Sequence, residues 1–340
     1  MTRKKVITLN SEAYKTRKGE ERLKKFIEGA SQGWEITSDD ITFTSRLFAQ
    51  VGLPHTNKRT EIWERRNGQY IFTVRSGLDY QKKIRMDGMR PLIGIPYGRY
   101  PRLILSHIID QALTYKRREI ELTHSLAGYL KKLGVSTSGA WVNTPTGKRT
   151  RSTREECVMQ LRRFISAEYT IRKIHYDTNG EMLECDDVRD LKISSRYRLW
   201  GPKTNPDQEE LWPSFIILTE EFYNEIIEHA VPLYKGALRE LEAAFALDIY
   251  MWSTFRAAYF EKYDKKECVR IPWAALKNQF GADYKQLKTF RYWFRHYLAE
   301  VRTIYPGLRI DDTDSDFLIF EPCKPHIPSQ KLYLAKSTSK

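Results

Sequence analysis

The chain has 340 residues, 41% hydrophobic and 13% aromatic, which is enough apolar side chain for two cored domains and too much for a disordered chain. Lysine and arginine outnumber aspartate and glutamate by 57 to 43, and the net charge of +14 suits a protein that docks on phosphates. There is no apolar run of about 18 residues, no signal-peptide core and no CxxC spacing among the four cysteines, so the chain is predicted to be cytoplasmic, without membrane span, zinc or disulfide.

Residues 1–40 are charged and aperiodic, and they read as a partly disordered basic arm. Two strand-like runs follow, Glu61 to Arg66 and Gln69 to Arg75, joined at Asn67-Gly68, a dipeptide that favours a tight hairpin turn. A helix is expected from Pro101, with Leu103, Ile104, Ile108, Ala112 and Tyr115 on one side. A short helix after Ser125 closes at Gly134. A third helix starts at a capping box of Ser152 and Glu155 and carries the stripe Cys157, Leu161, Phe164 and Ile165. Its other side, with the loop before it, places Lys148, Arg149, Arg151, Arg154, Arg162 and Arg163 as candidate phosphate contacts, and Arg99 and Arg102 are further candidates. Tyr169 to Tyr176 and Leu191 to Leu199 then read as strands around an acidic loop.

The stretch GPKTNPDQEELW, residues 201–212, has the composition of a linker. Beyond it a strand leads into a helix capped by Thr219, and Ala237 to Tyr263 reads as one long core helix. A short helix from Trp273 to Phe280 ends at Gly281. The next helix, within Tyr284 to Tyr305, pairs an apolar stripe of Leu287, Phe290, Phe294, Leu298 and Val301 with a basic face. LRIDDTDSDFLIF then reads as two short strands around a turn. Helix, turn, basic helix and hairpin is the layout of a winged helix-turn-helix whose second helix enters a DNA major groove. Lys285, Lys288, Thr289, Arg291, Tyr292 and Arg295 are the candidate DNA-reading residues, with Arg291 suited to a guanine edge.

The same order of elements in both halves predicts a mainly α chain with small β-hairpins (α+β), arranged as two tandem winged-helix domains. The expected boundaries are an arm at 1–40, a first domain at 41–200, a linker at 201–212, a second domain at 213–327 and a flexible tail at 328–340.

The sequence carries no catalytic pattern that fits. GxxxxGK[ST] and GxGxxG are missing, and the seven histidines never form the HxH pair of a metal-assisted nickase. The acidic runs at 184–190 and 311–316 sit in expected turns, where Asp and Ser satisfy backbone groups. The chain is therefore expected to be no enzyme and to need neither cofactor nor metal.

Several passages, in order, resemble the plasmid-encoded RepA family of replication initiators: GIPYGRYPRLILSHIIDQAL, IELTHSLAGYLKKLGV, WPSFIILTEEFYNEIIEHAVPL, ALDIYMWSTFR and VRIPWAALKNQFGADYKQLKTFRYWFRHYLAEVRTIYP. The resemblance spans roughly Gly94 to Pro325 and departs in the polar loop after Gly134, where the family tends to glycine. It implies binding to direct repeats (iterons) of double-stranded DNA in a plasmid origin, opening of the nearby duplex and recruitment of host initiator and helicase machinery. It also implies a homodimer in equilibrium with a monomer, with the first domain serving dimerisation and backbone contact and the second reading bases. A transcriptional repressor on the same scaffold is the competing expectation, ahead of a structural or membrane-surface protein.

Overall fold

The computed structural model describes residues 37–135, 153–177, 179, 181–183, 187–200, 214–264, 267–281 and 284–327. Most of the arm, the 201–212 stretch, the tail and Lys148, Arg149, Arg151 and Ser152 lie outside the described residues.

In chain order the first elements are β1 (Ile41–Ser45), α1 (Arg46–Gln50), β2 (Ile62–Asn67), β3 (Tyr70–Arg75), α2 (Arg99–Tyr115), β4 (Glu119–Thr123), α3 (Leu126–Lys132) and α4 (Thr153–Ser166). They are followed by β5 (Glu168–Lys173), β6 (Asp187–Lys192), β7 (Ser194–Arg198), β8 (Ser214–Leu218), α5 (Glu220–His229), β9 (Ala230–Tyr234) and α6 (Lys235–Glu240). The last are α7 (Ala244–Lys262), β10 (Val269–Pro272), α8 (Trp273–Phe280), α9 (Leu287–Ile304), β11 (Ile310–Asp311) and β12 (Phe317–Phe320). The fold class is α+β, with helices packed on small antiparallel sheets.

Local chemistry explains most boundaries. The Asn67-Gly68 turn pairs Asn67 with Tyr70, and Gly68 takes the φ of +60° that such a turn demands. Ser125 and Thr219 accept from the backbone N–H groups of Gly128 at 3.2 Å and Phe222 at 3.3 Å, capping α3 and α5. The expected long helix is two helices. Leu241 and Ala243 are both extended, and the break puts Leu241 in the core between α6 and α7.

Two three-stranded sheets have the same order. In one, β8 lies between β4 and β7; in the other, β12 lies between β10 and β11. Each follows the same run of elements: α2, β4, α3 and α4 for the first, and α7, β10, α8 and α9 for the second. In the first run, β5 and β6 are inserted before β7 and join the β2–β3 hairpin in a sheet of order β2-β3-β5-β6.

This pairing moves the expected boundary. Residues 214–218, read from sequence as the start of the second domain, form the central strand of the first module's sheet. The linker-like stretch 201–212 therefore connects two strands of one sheet. The halves are also tied at the other end, because β1 pairs antiparallel with β9, Ile41 opposite Tyr234. One buried hydrophobic cluster runs through both modules, from Ile41 to Ile327. Proline and glycine in the linker-like stretch give a turn signal, which does not distinguish a loop between strands from a link between domains.

Candidate nucleic-acid interface

The second module is built on α9. Phe290, Phe294, Leu298, Val301 and Ile304 are fully or nearly buried, at the three-and-four spacing of one helix face. Phe290 and Phe294 meet Phe245 and Trp252 of α7 and Trp273 and Phe280 of α8 in an aromatic cluster, with ring centroids 5.5 to 6.5 Å apart. Leu287, assigned to this stripe from sequence, is exposed at the first residue of the helix, and burial of the stripe begins at Phe290. The Phe290 ring lies where a side chain at Gly281 would be.

One face of α9 holds the hairpin. Arg295 donates to the Asp312 carbonyl at 2.9 Å and lies over the Trp273 ring at 5.3 Å. Arg302 reaches the Asp312 carboxylate at 2.8 Å, and Nη1 of Arg291 donates to the Ser315 carbonyl. The turn itself is closed by its aspartates. Asp311 accepts from the Thr313 N–H at 2.9 Å, and Asp314 accepts from the N–H groups of Asp316 at 2.7 Å and Phe317 at 3.1 Å. These backbone bonds hold both carboxyls below the usual carboxylate range.

The basic face of α9 is thus divided. Arg291 and Arg295, both read from sequence as base-contacting, are half-buried and committed to hairpin carbonyls. A guanidinium with five donors satisfies several acceptors at once, and the hairpin turn supplies them. Lys285, Lys288, Thr289 and Tyr292 remain exposed around the first turns, Tyr292 with 55% of its surface accessible. Among the described residues no side-chain cap hydrogen bond is made at Gln286, the N-cap of α9. Together the four exposed residues form a rim of two cations, a hydroxyl and an aromatic ring beside a braced hairpin. A phosphate backbone with base edges behind it is the chemistry such a rim fits.

The candidate cations of the first module separate further. Arg154 and Arg162 are half-buried on α4. Arg162 donates to the Trp200 carbonyl at 3.2 Å and to Gln81, and burial pulls its pKa down. Arg163 is buried and does not join them: Nε donates to the Ile93 carbonyl at 2.9 Å, and the guanidinium lies over the Tyr97 ring. Arg99 and Arg102 also turn inward. Arg99 donates to the Leu238 and Arg239 carbonyls at 2.9 and 3.0 Å, and Arg102 meets Asp248 of α7. On the same helix, α2, the Asp110 carboxylate faces Lys235 at 3.7 Å.

Sequence reasoning missed other cations of this module. Arg196 and Arg198 alternate along β7 and both lie over Phe215 of β8, at 5.7 and 5.4 Å. With Arg162 and Tyr197 they line a cavity of about 320 Å³. An Arg-x-Arg strand pattern was the available signal. Among the described residues no helix is long and apolar enough to cross a membrane, and no group of His, Cys, Asp and Glu is placed to hold a metal.

The family model described as "Plasmid encoded RepA protein" matches residues 95–275. This chain belongs to the plasmid-encoded RepA family. The match covers α2 through the start of α8, and it makes the chain a member of a replication-initiator family. Among solved structures, a crystal structure of SeMet derivatives of domain 2 and domain 3 of RctB is similar at 10% identity and a TM-score of 0.46. That likeness covers 82% of this chain and 96% of the other. A second RctB structure, of domains 2-3, is similar at 10% identity and a TM-score of 0.41, over 85% and 99%. No curated protein matches the chain.

Proposed function

We propose that this RepA-family protein initiates replication by binding directly repeated duplex sites in an origin through α9. On this reading it helps to open the adjacent duplex and recruits the host initiator and helicase machinery. The scaffold is a pair of winged helices, α2 to β8 and α7 to β12, the second reading bases and the first supporting dimerisation and backbone contact. It acts without a catalytic step or cofactor, as a dimer in exchange with a monomer, so opening draws on binding energy and on DNA deformation.

One observation carries the reading: the exposed rim of Lys285, Lys288, Thr289 and Tyr292 stands beside a hairpin that Arg291, Arg295 and Arg302 hold in place. A recognition helix reads bases from its N-terminal turns while a wing follows the backbone, and these residues occupy those positions. The arginines fix the angle between helix and wing, and base contact falls to Lys288, Thr289 and Tyr292.

The test is fluorescence anisotropy on the tightest duplex selected from a random pool and on its scrambled counterpart. Specific recognition gives a preference of about a thousandfold at physiological salt, most of it lost in Lys288→Ala combined with Thr289→Ala. Equal binding to both duplexes, abolished by salt, would reduce the charge to a nonspecific footprint and refute the assignment of α9.

A further inference from the structure

We propose that residues 78–92 form a second DNA-binding element, a finger that inserts its apolar tip between base pairs while its cations hold the flanking phosphates. The inference rests on the DNA-binding reading above but assigns a different segment and a different act.

After β3 the chain leaves its sheet and returns at Leu92, opposite Leu78 in an isolated antiparallel bridge. The base is fastened by Asp79 N–H to the Pro91 carbonyl at 2.7 Å and by Ile93 N–H to the Gly77 carbonyl at 2.9 Å. The tip is closed by Arg85 N–H to the Met89 carbonyl at 2.9 Å and Gly88 N–H to the Arg85 carbonyl at 3.0 Å, with Gly88 at a φ of +76°. This is a formed projection. It presents Ile84, Met86 and Met89, each more than half exposed and Met86 with no burial at all. They add nothing to the core, so no burial of the tip offsets the entropy lost in ordering this turn.

Charge names the partner. Lys82, Lys83, Arg85 and Arg90 flank the tip, and the only carboxylate from Tyr80 to Arg90 is Asp87, paired with Arg85 at 3.2 Å. Asp79 at the base is buried and faces Lys82 at 3.6 Å. Arg90 lies over the exposed Tyr80 ring at 5.1 Å, and Gln81 accepts from Arg162, so the finger stands against the arginine-lined cavity of the first module. The surface is positive from tip to base, which fits a polyanion.

Size decides between polyanions. Three side chains on one turn cannot supply the roughly 1,200 Å² of a stable protein interface, nor the long apolar face that holds a helix in a bilayer surface. Wedging apart a base step needs only one or two apolar side chains, isoleucine and methionine among them, and it kinks the duplex by about 20–90°. Such a wedge also gives an initiator without nucleotide hydrolysis a way to unstack DNA.

The test uses the full chain and a panel of duplexes carrying the tightest selected sequence with its flanks. 2-Aminopurine is stepped through the adenines to report unstacking, and end-to-end energy transfer reports the bend. Wild type is expected to brighten one step several-fold, by about three or more, and to draw the ends together. The variant Ile84→Ser/Met86→Ser/Met89→Ser, whose changes are all at exposed positions, should lose both signals and keep its sequence preference. Lys82→Ala/Lys83→Ala should keep both signals at saturation and lower the salt dependence by about two phosphates. The proposal is overturned if wild type brightens no step or if the triple variant brightens it equally. It is overturned as well if the tip is needed instead for binding to phosphatidylserine vesicles. Loss of sequence preference in wild type would sink the α9 reading, and brightening on an unselected duplex would still decide the finger.

Discussion

Arg102 of α2 and Asp248 of α7 form a buried two-pronged ion pair, Nε to Oδ1 and Nη2 to Oδ2 at 2.5 Å each. Only 3% and 2% of their side-chain surfaces are accessible. Arg102 also donates to the Leu53 carbonyl at 2.7 Å, and His55 meets Oδ2 of Asp248 at 3.0 Å. A side chain at Gly52 would overlap the Asp248 carboxylate, so the loop after α1 closes over the pair. The first helix of each module is thus joined to the other through one carboxylate. Asp248→Asn keeps the shape and removes the charge, leaving Arg102 buried without compensation. A loss of about 3–5 kcal/mol is expected in urea unfolding. An unchanged midpoint would show that the pair does not bind the modules together.

Acid should loosen the fold in a defined window. Burial pulls His107 and His326 down to about 4 each, and Lys132 and Lys235 add to the shift at His107. A base with a lowered folded pKa leaves the unfolded chain binding more protons between about 4 and 6.5. Stability is therefore full above about 6.5 and falls as pH drops towards 4, by up to about 3 kcal/mol per histidine. Asp248 adds a lower window: burial alone would raise it, but Arg102 and His55 outweigh that and hold it below the usual range. Its contribution is present above the unfolded pKa and is lost as pH falls through the folded one. Thermal midpoints between pH 7.5 and 4 check this, and His107→Leu should flatten the upper part.

Glu300 has the opposite sign. Burial, with Glu242 nearby, lifts its carboxyl to about 7. A raised acid contributes stability below its unfolded pKa that is lost as pH climbs from about 4.5 to 7. His296 stands 3.5 Å from the carboxylate, one turn back on the same helix. Glu300→Gln should raise the melting temperature at pH 8 and leave it nearly unchanged at pH 5. Equal effects at both would place the cause outside the charge.

Two basic residues of α9 should separate cleanly. Lys288→Ala should weaken DNA binding, reduce the salt slope by about one, and change stability by less than about 0.5 kcal/mol. Arg295→Ala leaves hairpin carbonyls without their donor and should cost about 1–3 kcal/mol of stability. Its DNA defect should follow from a loosened wing. Anisotropy beside calorimetry on the two variants distinguishes the roles.

Gly281→Ala should destabilise by about 1–3 kcal/mol, because the added methyl meets the Phe290 ring. A variant as stable as wild type in urea would mean that the ring can swing aside.

Periodicity alone placed the helices that matter, since α9 buries Phe290, Phe294, Leu298 and Val301 at the spacing read from the chain. Turn chemistry placed the β2–β3 hairpin through Asn67-Gly68 and the caps through Ser125 and Thr219. These are local effects, acting over a few residues, and the sequence displays them directly. The RepA family was legible for a similar reason, in the order of its apolar and aromatic positions.

The tertiary structure alone decided strand partners and arginine roles. Which strand Ser214–Leu218 joins depends on elements up to about a hundred residues away, and the same turn-rich composition serves a loop or a linker. A run of basic residues on a helix looks uniform in sequence. In the fold Arg163 is buried against the Tyr97 ring, Arg295 holds Asp312, and Lys288 is left in water. An arginine is drawn to whatever carbonyls and rings lie within its reach, and only folding brings those within reach.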